Sequence, residues 1–176
     1  MRLFKQILVC LMLLMFSLKD YAQSATTKIT SNIQMIVNKL EKESLVHLGY
    51  PVGYSAKPEK NNKYFRLYKK LLRKASDDEL LQLTNQETPN IVVYAYKALY
   101  DRNFSGLKDV FLNHVNDTTW FWTAGGCTGV LERINRFMLR HLKPDVNNVY
   151  RYVMTKQEYD IYYDQLKKKE DLFYFD

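Results

Sequence analysis

The sequence predicts an all-α fold: a short stack of helical hairpins with further helices capping it on either side. Three observations predict it. Ser76-Asp77-Asp78-Glu79 is a capping box, in which the Ser76 hydroxyl accepts from the Glu79 amide and the Glu79 carboxylate reaches back to the Ser76 amide. Thr88-Pro89 is a joint, because proline suits the first turn of a new helix, where its missing N–H needs no partner. Beyond it Ile91, Ala95, Ala98 and Leu99 recur at i, i+4, i+7 and i+8, one apolar stripe whose alanines let a second helix come close. The hairpin covers 76–103. Neither helix hides its apolar side alone, so it needs partners on both flanks.

Residues 1–23, MRLFKQILVCLMLLMFSLKDYAQ, have the three parts of a secretory signal. Arg2 and Lys5 lead, an apolar run extends from Ile7 to Leu18, and a short polar region ends at Ala22-Gln23. The run is short for a membrane span. Cleavage near Gln23, with no stable span afterwards and a periplasmic or extracellular product, is therefore expected; a retained anchor is the alternative. A cut at this point resembles signals common in Bacteroidetes. The mature chain, 24–176, is expected to be a single helical domain. The whole chain has 26 basic and 19 acidic residues, a net charge of +7, and loss of 1–23 leaves 23 and 18, or +5. Of the two cysteines Cys10 falls in the signal, so Cys127 alone remains and no internal disulfide can form.

From Ile29 to Leu45 the residues Ile33, Ile36, Val37 and Leu40 keep a helical period. His47 to Tyr54 reads as a loop, broken by Gly49, Pro51 and Gly53. A second amphipathic helix covers Glu59 to Ala75, with Tyr64, Leu67, Tyr68, Leu71 and Leu72 on one face. Its other face holds Lys60, Lys63, Arg66, Lys69, Lys70, Arg73 and Lys74, with no acid among them. A solvated face partly neutralised by Asp77, Asp78 and Glu79 accounts for this run. A docking surface for an anionic partner, such as acidic polysaccharide or lipid head groups, accounts for it too. No nucleic-acid module accompanies these cations, and nucleic acid is not an expected partner.

Leu81 and Leu83, the polar turn ending in Pro89, and then Ile91, Ala95, Ala98 and Leu99 resemble a HEAT-type repeat. The longer string from Lys70 to Leu99 is similar to secreted Bacteroidetes-like proteins with degenerate units of that kind. The resemblance implies an α-α superhelix that binds or scaffolds, and it implies no catalytic residues. Val92 stands where the HEAT motif commonly has arginine. A weaker second unit is expected over 105–142. Its first helix has Leu107, Val110, Phe111 and Val115 on one face, and its register puts a second helix after Thr118. Trp120, Phe121 and Trp122, followed by Gly125, Gly126 and Gly129, sit awkwardly there, since each glycine costs a helix about 1 kcal/mol. The aromatics are expected to plug the core and the glycines to make a bend. Val130, Leu131, Ile134, Phe137, Met138 and Leu142 then predict a helix, with Arg133, Arg136 and Arg140 on its far side. A strand is conceivable over Val146 to Met154. Thr155-Lys156-Gln157-Glu158 is a second capping box that opens a final helix, and Leu172 to Phe175 is an apolar tail.

Catalysis has one candidate: Cys127 as nucleophile with His114, or His141, as base, the neighbouring glycines exposing the sulfur. The competing account is a small buried cysteine. His47, His114 and His141 share no short ligand spacing, so no metal and no cofactor are expected. The sequence thus favours an exported, non-enzymatic binding or scaffolding protein over a cysteine-dependent enzyme. Its expected partner is a protein or an anionic envelope component. Its expected contact residues are Lys63, Arg66, Lys69, Lys70 and Arg73, with Trp120 and Trp122.

Overall fold

A computed structural model describes residues 28–52, 57–58, 61–125, 128–144 and 154–171. The signal-like segment 1–23, Cys127, the conceivable strand up to residue 153 and the apolar tail lie outside these residues. In chain order the elements are α1 (Ser31–Leu40), β1 (Leu45–Val46), β2 (Pro51–Val52), β3 (Lys57–Pro58), α2 (Lys63–Lys74) and α3 (Asp77–Thr84). Then come α4 (Pro89–Asp101), α5 (Leu107–Asn113), β4 (Trp120–Gly125), β5 (Thr128–Arg133), α6 (Ile134–His141) and α7 (Lys156–Asp171). One sheet has the order β1-β4-β5, with β1 parallel to β4 and β4 antiparallel to β5; β2 and β3 form a small antiparallel pair.

The all-α expectation is therefore wrong, and with it the HEAT-like stack. The fold is mixed α/β: the described residues form seven helices and a three-stranded mixed sheet packed against them. The failure falls in the second unit, 105–142. Where that unit needed its second helix, the chain makes the β4–β5 hairpin, in unbroken register from Trp120 opposite Arg133 to Gly125 opposite Thr128. Trp120-Phe121-Trp122-Thr123 alternates, with Phe121 and Thr123 buried and both tryptophans exposed. That two-residue period suits aromatic and β-branched residues on a pleated, half-covered surface, while the glycines penalise the helix that would compete. Val130 and Leu131 consequently lie in β5, and the helix expected from Val130 begins only at Ile134. Near the start of the chain, α1 stops at Leu40, and Leu45-Val46 becomes the strand paired to β4.

The 76–103 hairpin does form about Thr88-Pro89, but its second helix is not a striped repeat helix. In α4 every residue from Ile91 to Tyr96 is buried, as are Ala98 and Leu99. It touches α1, α2, α3, α5 and α6 as well as β1 and β4. Two tyrosines carry polar tips into this interior, and both are satisfied. The His47 amide donates to the Tyr94 hydroxyl at 2.7 Å, and the Tyr96 hydroxyl donates to the Met138 carbonyl at 2.9 Å. Phe137 of α6 meets Phe121 of β4 edge to face, with centroids 5.4 Å apart, so the sheet is fastened by its inner face.

Both capping boxes have the expected bonds. The Glu79 amide donates to Ser76 Oγ at 3.1 Å and the Ser76 amide to Glu79 Oε2 at 2.8 Å; Thr155 and Glu158 repeat the exchange at 2.9 and 3.0 Å. Glu79 does more than close its own helix. Its Oε1 also accepts from the amide and hydroxyl of Thr30, each at 2.8 Å, so one buried carboxylate caps the starts of both α1 and α3. Burial disfavours its charge, but the donors of Thr30 and Ser76 outweigh that and hold its pKa below the ordinary carboxylate value. A depressed carboxylate pKa stabilises the fold above the ordinary value and loses that contribution as pH falls through the depressed one. Glu79→Gln should lower the unfolding free energy by about 2 kcal/mol in urea titrations at neutral pH, with a smaller loss at low pH.

Candidate functional site

Helix α2 is fixed at both ends, which sets the direction of its basic face. At its start Asn62 Oδ1 accepts from the amides of Tyr64 and Phe65 at 2.7 and 3.1 Å. Its buried side is Leu67, Tyr68 and Leu71, and the Tyr68 hydroxyl donates to Asp101 Oδ2 at 2.5 Å. At its end Arg102, just after α4, closes the corner between α2 and α3. The guanidinium donates from Nε to the Leu72 carbonyl at 2.9 Å and from Nη2 to the Ala75 carbonyl at 2.6 Å, and Nη1 meets Asp77 Oδ1 at 2.7 Å. A cation on the last carbonyls of a helix satisfies groups that the helix itself leaves open.

Outward from this frame Lys63, Arg66, Lys69, Lys70, Arg73 and Lys74 are all exposed. Lys63 lies 5.3 Å from the centroid of the Tyr64 ring, and Arg73 Nε donates to the Lys69 carbonyl at 3.1 Å. None of the six meets a carboxylate among the described residues. The acids that the sequence offered as neutralising partners are engaged elsewhere: Asp77 with Arg102, and Glu79 inside its double cap. Only Asp78 stays exposed without such a task. Cations three and four residues apart are neighbours on a helix surface and repel one another.

The second candidate surface is the outer face of the sheet. Trp120 and Trp122 are 49% and 47% exposed, so the expectation that they plug the core is wrong; Phe121, between them, is the residue that does. Across the strands Leu45 and Leu131 flank Trp122, and the Arg133 guanidinium lies 4.7 Å from the centroid of the Trp120 ring. The Trp122 ring leans over Gly129, where an added Cβ would come within 3.0 Å of it.

A third feature, missed as a site by the sequence, is a cleft of about 130 Å³ between α6 and α7. Arg136, Arg140, Tyr159 and Tyr163 line it together with Glu132. Arg140 donates to both Glu132 oxygens, at 3.1 and 2.7 Å, so the cleft already contains its own carboxylate. Only the recurrence of arginine at 133, 136 and 140 signalled it.

His114 and His141 are both packed into the fold. His114 follows α5, with Nδ1 3.2 Å from Asp117 Oδ2 in the turn into β4, and Asn135 Nδ2 closes the same turn on the Val115 carbonyl at 3.1 Å. The His114 side chain is 13% exposed, and its Nε2 is enclosed with no partner among the described residues. Its proposed nucleophile, Cys127, lies outside them. His141 is boxed in by the rings of Tyr96, Tyr100 and Phe137. Burial pushes its pKa down to about 4. Among the described residues no group of three or more metal-ligating side chains occurs, and no helix is long and apolar enough to cross a membrane. No protein-family model matches the chain, and neither a curated protein nor a solved structure resembles it significantly.

Two outcomes follow from these placements. A histidine with a depressed folded pKa stabilises above its unfolded value of 6.5 and loses that contribution as pH falls toward 4. Unfolding free energy should therefore drop by about 3 kcal/mol across that window, and His141→Gln should flatten the drop in urea titrations buffered from pH 7 to 4. Trp120→Phe or Trp122→Phe should each change stability by less than about 1 kcal/mol, whereas Phe121→Ala should cost about 3–5 kcal/mol in the same assay.

Proposed function

We propose that the protein is an exported, non-enzymatic binding module that holds an anionic component of the cell envelope on the basic face of α2. The observation that carries this reading is the removal of the local acids. Arg102 takes Asp77, the α1 and α3 caps take Glu79, and six cations are left on one exposed helix face without a carboxylate partner among the described residues. Phosphate or carboxylate groups arriving in a row would relieve the repulsion among Arg66, Lys69, Lys70 and Arg73. The frame that aims them, Asn62 at one end and Arg102 at the other, is built from hydrogen bonds within the chain itself, so little ordering is required on binding. Export and signal cleavage near Gln23 belong to the same proposal, because they set which anions the face would meet.

The test is binding to phosphatidylglycerol vesicles at two salt concentrations. The triple reversal of Lys69, Lys70 and Arg73 to Glu should weaken binding more than about 100-fold, at roughly 1 kcal/mol for each basic residue near an anionic surface. The same number of reversals at exposed Lys39, Lys42 and Lys143 changes net charge equally and should have a much smaller effect. Equal losses in the two triples would reduce the interaction to net charge and end the proposal.

A further inference from the structure

The outer edge of the sheet is β5, since the strand order is β1-β4-β5. The Ile134 amide donates to the Thr119 carbonyl at 3.0 Å, which fixes the alternation of the ladder. Residues 130 and 132 bond inward to β4, and the amide and carbonyl of Gly129 and Leu131 point outward. Those outward groups have no partner among the described residues. Proteins usually blunt such an edge with proline, lysine or a bulge. From Thr128 to Leu131 there is no proline or lysine, and the register with β4 is unbroken. Ahead of Glu132 and Arg133 the edge is also apolar on both faces: Val130 is 53% exposed on the inner side and Leu131 44% exposed on the tryptophan side.

We propose that two copies of this chain join through β5, antiparallel about a two-fold axis at Val130, so that the two sheets become one. Opposite residues in an antiparallel pair share a face, so a two-fold axis must pass through a residue, and Val130 and Leu131 are the two choices near the middle of the strand. An axis at Leu131 sets each Val130 against Glu132 of the second copy, covering with a valine a carboxylate that Arg140 already holds. An axis at Val130 sets valine against valine in a close non-hydrogen-bonded pair. It lets Gly129 and Leu131 exchange their open amides and carbonyls with Leu131 and Gly129 of the second copy. Leu131 of the second copy then lies opposite Gly129 and against the Trp122 ring, which already leans over that glycine together with Leu45. The strand is complementary to itself, which is why a second copy is the occupant. The basic face of α2 takes no part, so this proposal stands apart from the function above.

Sedimentation velocity over a concentration series tests it. The wild-type protein should show a monomer–dimer equilibrium, with tryptophan emission shifting to the blue as dimer forms. Val130→Lys puts like charges directly opposite and should raise the dissociation constant by about tenfold or more. Leu131→Pro removes an amide that only the second copy would use, and should do the same. Val130→Lys alters an exposed side chain, so it keeps the test open should Leu131→Pro fail to fold, which circular dichroism reports. A monomer at every concentration would overturn the proposal and leave the edge to a strand from a different protein. A dimer indifferent to both substitutions would overturn it as well.

Discussion

Everything in this architecture answers to one helix that is buried on nearly every side, with only its ends and the Lys97–Asp101 pair reaching water. From Ile91 to Tyr96 consecutive residues of α4 are buried, where an ordinary surface helix would show polar residues to water in every turn. A helix of this kind has to be wrapped, and helices alone do not complete the wrapping here. α1, α2, α3, α5 and α6 take most of its circumference, and β1 and β4 take the rest. The sheet is small, with one strand only two residues long, because its task is to close a gap in that wall. Tyr94 and Tyr96 fasten the wall with hydroxyls that reach the backbone of the elements they face.

How much of this was legible in the sequence depends on the range over which each signal acts. Local signals are carried by the sequence itself. Ser76 and Glu79, Thr155 and Glu158, and Pro89 each specify a helix start through atoms within a few residues of one another, and the structure has those starts. The basic face of α2 was visible for the same reason, as a run of cations at helical spacing. The architecture was not, because it depends on contacts that no local pattern encodes. In α4 the stripe Ile91, Ala95, Ala98 and Leu99 is real, but Val92, Val93, Tyr94 and Tyr96 are equally buried. Reading one face as the buried one turned a central helix into a peripheral repeat. At 119–133 two periods competed. The tryptophans alternate with Phe121 and Thr123, and the three glycines oppose a helix, so the local pattern favours a hairpin and conflicts with the repeat register. Leu45-Val46 is two residues long and exists as a strand only because β4 lies beside it, which no window of sequence displays.

The candidate surface shows a related limit. A sequence shows which acids lie near a basic run, but not which of them are free to neutralise it. Asp77, Asp78 and Glu79 follow directly after α2 in the chain and look like its counterions. In the folded chain Arg102, brought back by the α3–α4 turn, takes one, and Thr30, brought in by α1, takes another. The electrostatics of α2 are thus set by residues 28 or more positions away from it in sequence terms, through hydrogen bonds whose purpose is structural.

The double cap at Glu79 also makes a knot in the connectivity. It ties Thr30 to a residue 49 positions later, so α1, the short β strands, α2 and its basic face all lie on an excursion that leaves from one carboxylate and returns to it. An excursion closed in this way loses order as a unit when its clasp opens, at the modest entropic cost of a large loop. Amide exchange along α1 and the beginning of α3 would then rise together, while the helix they surround stays protected against the sheet.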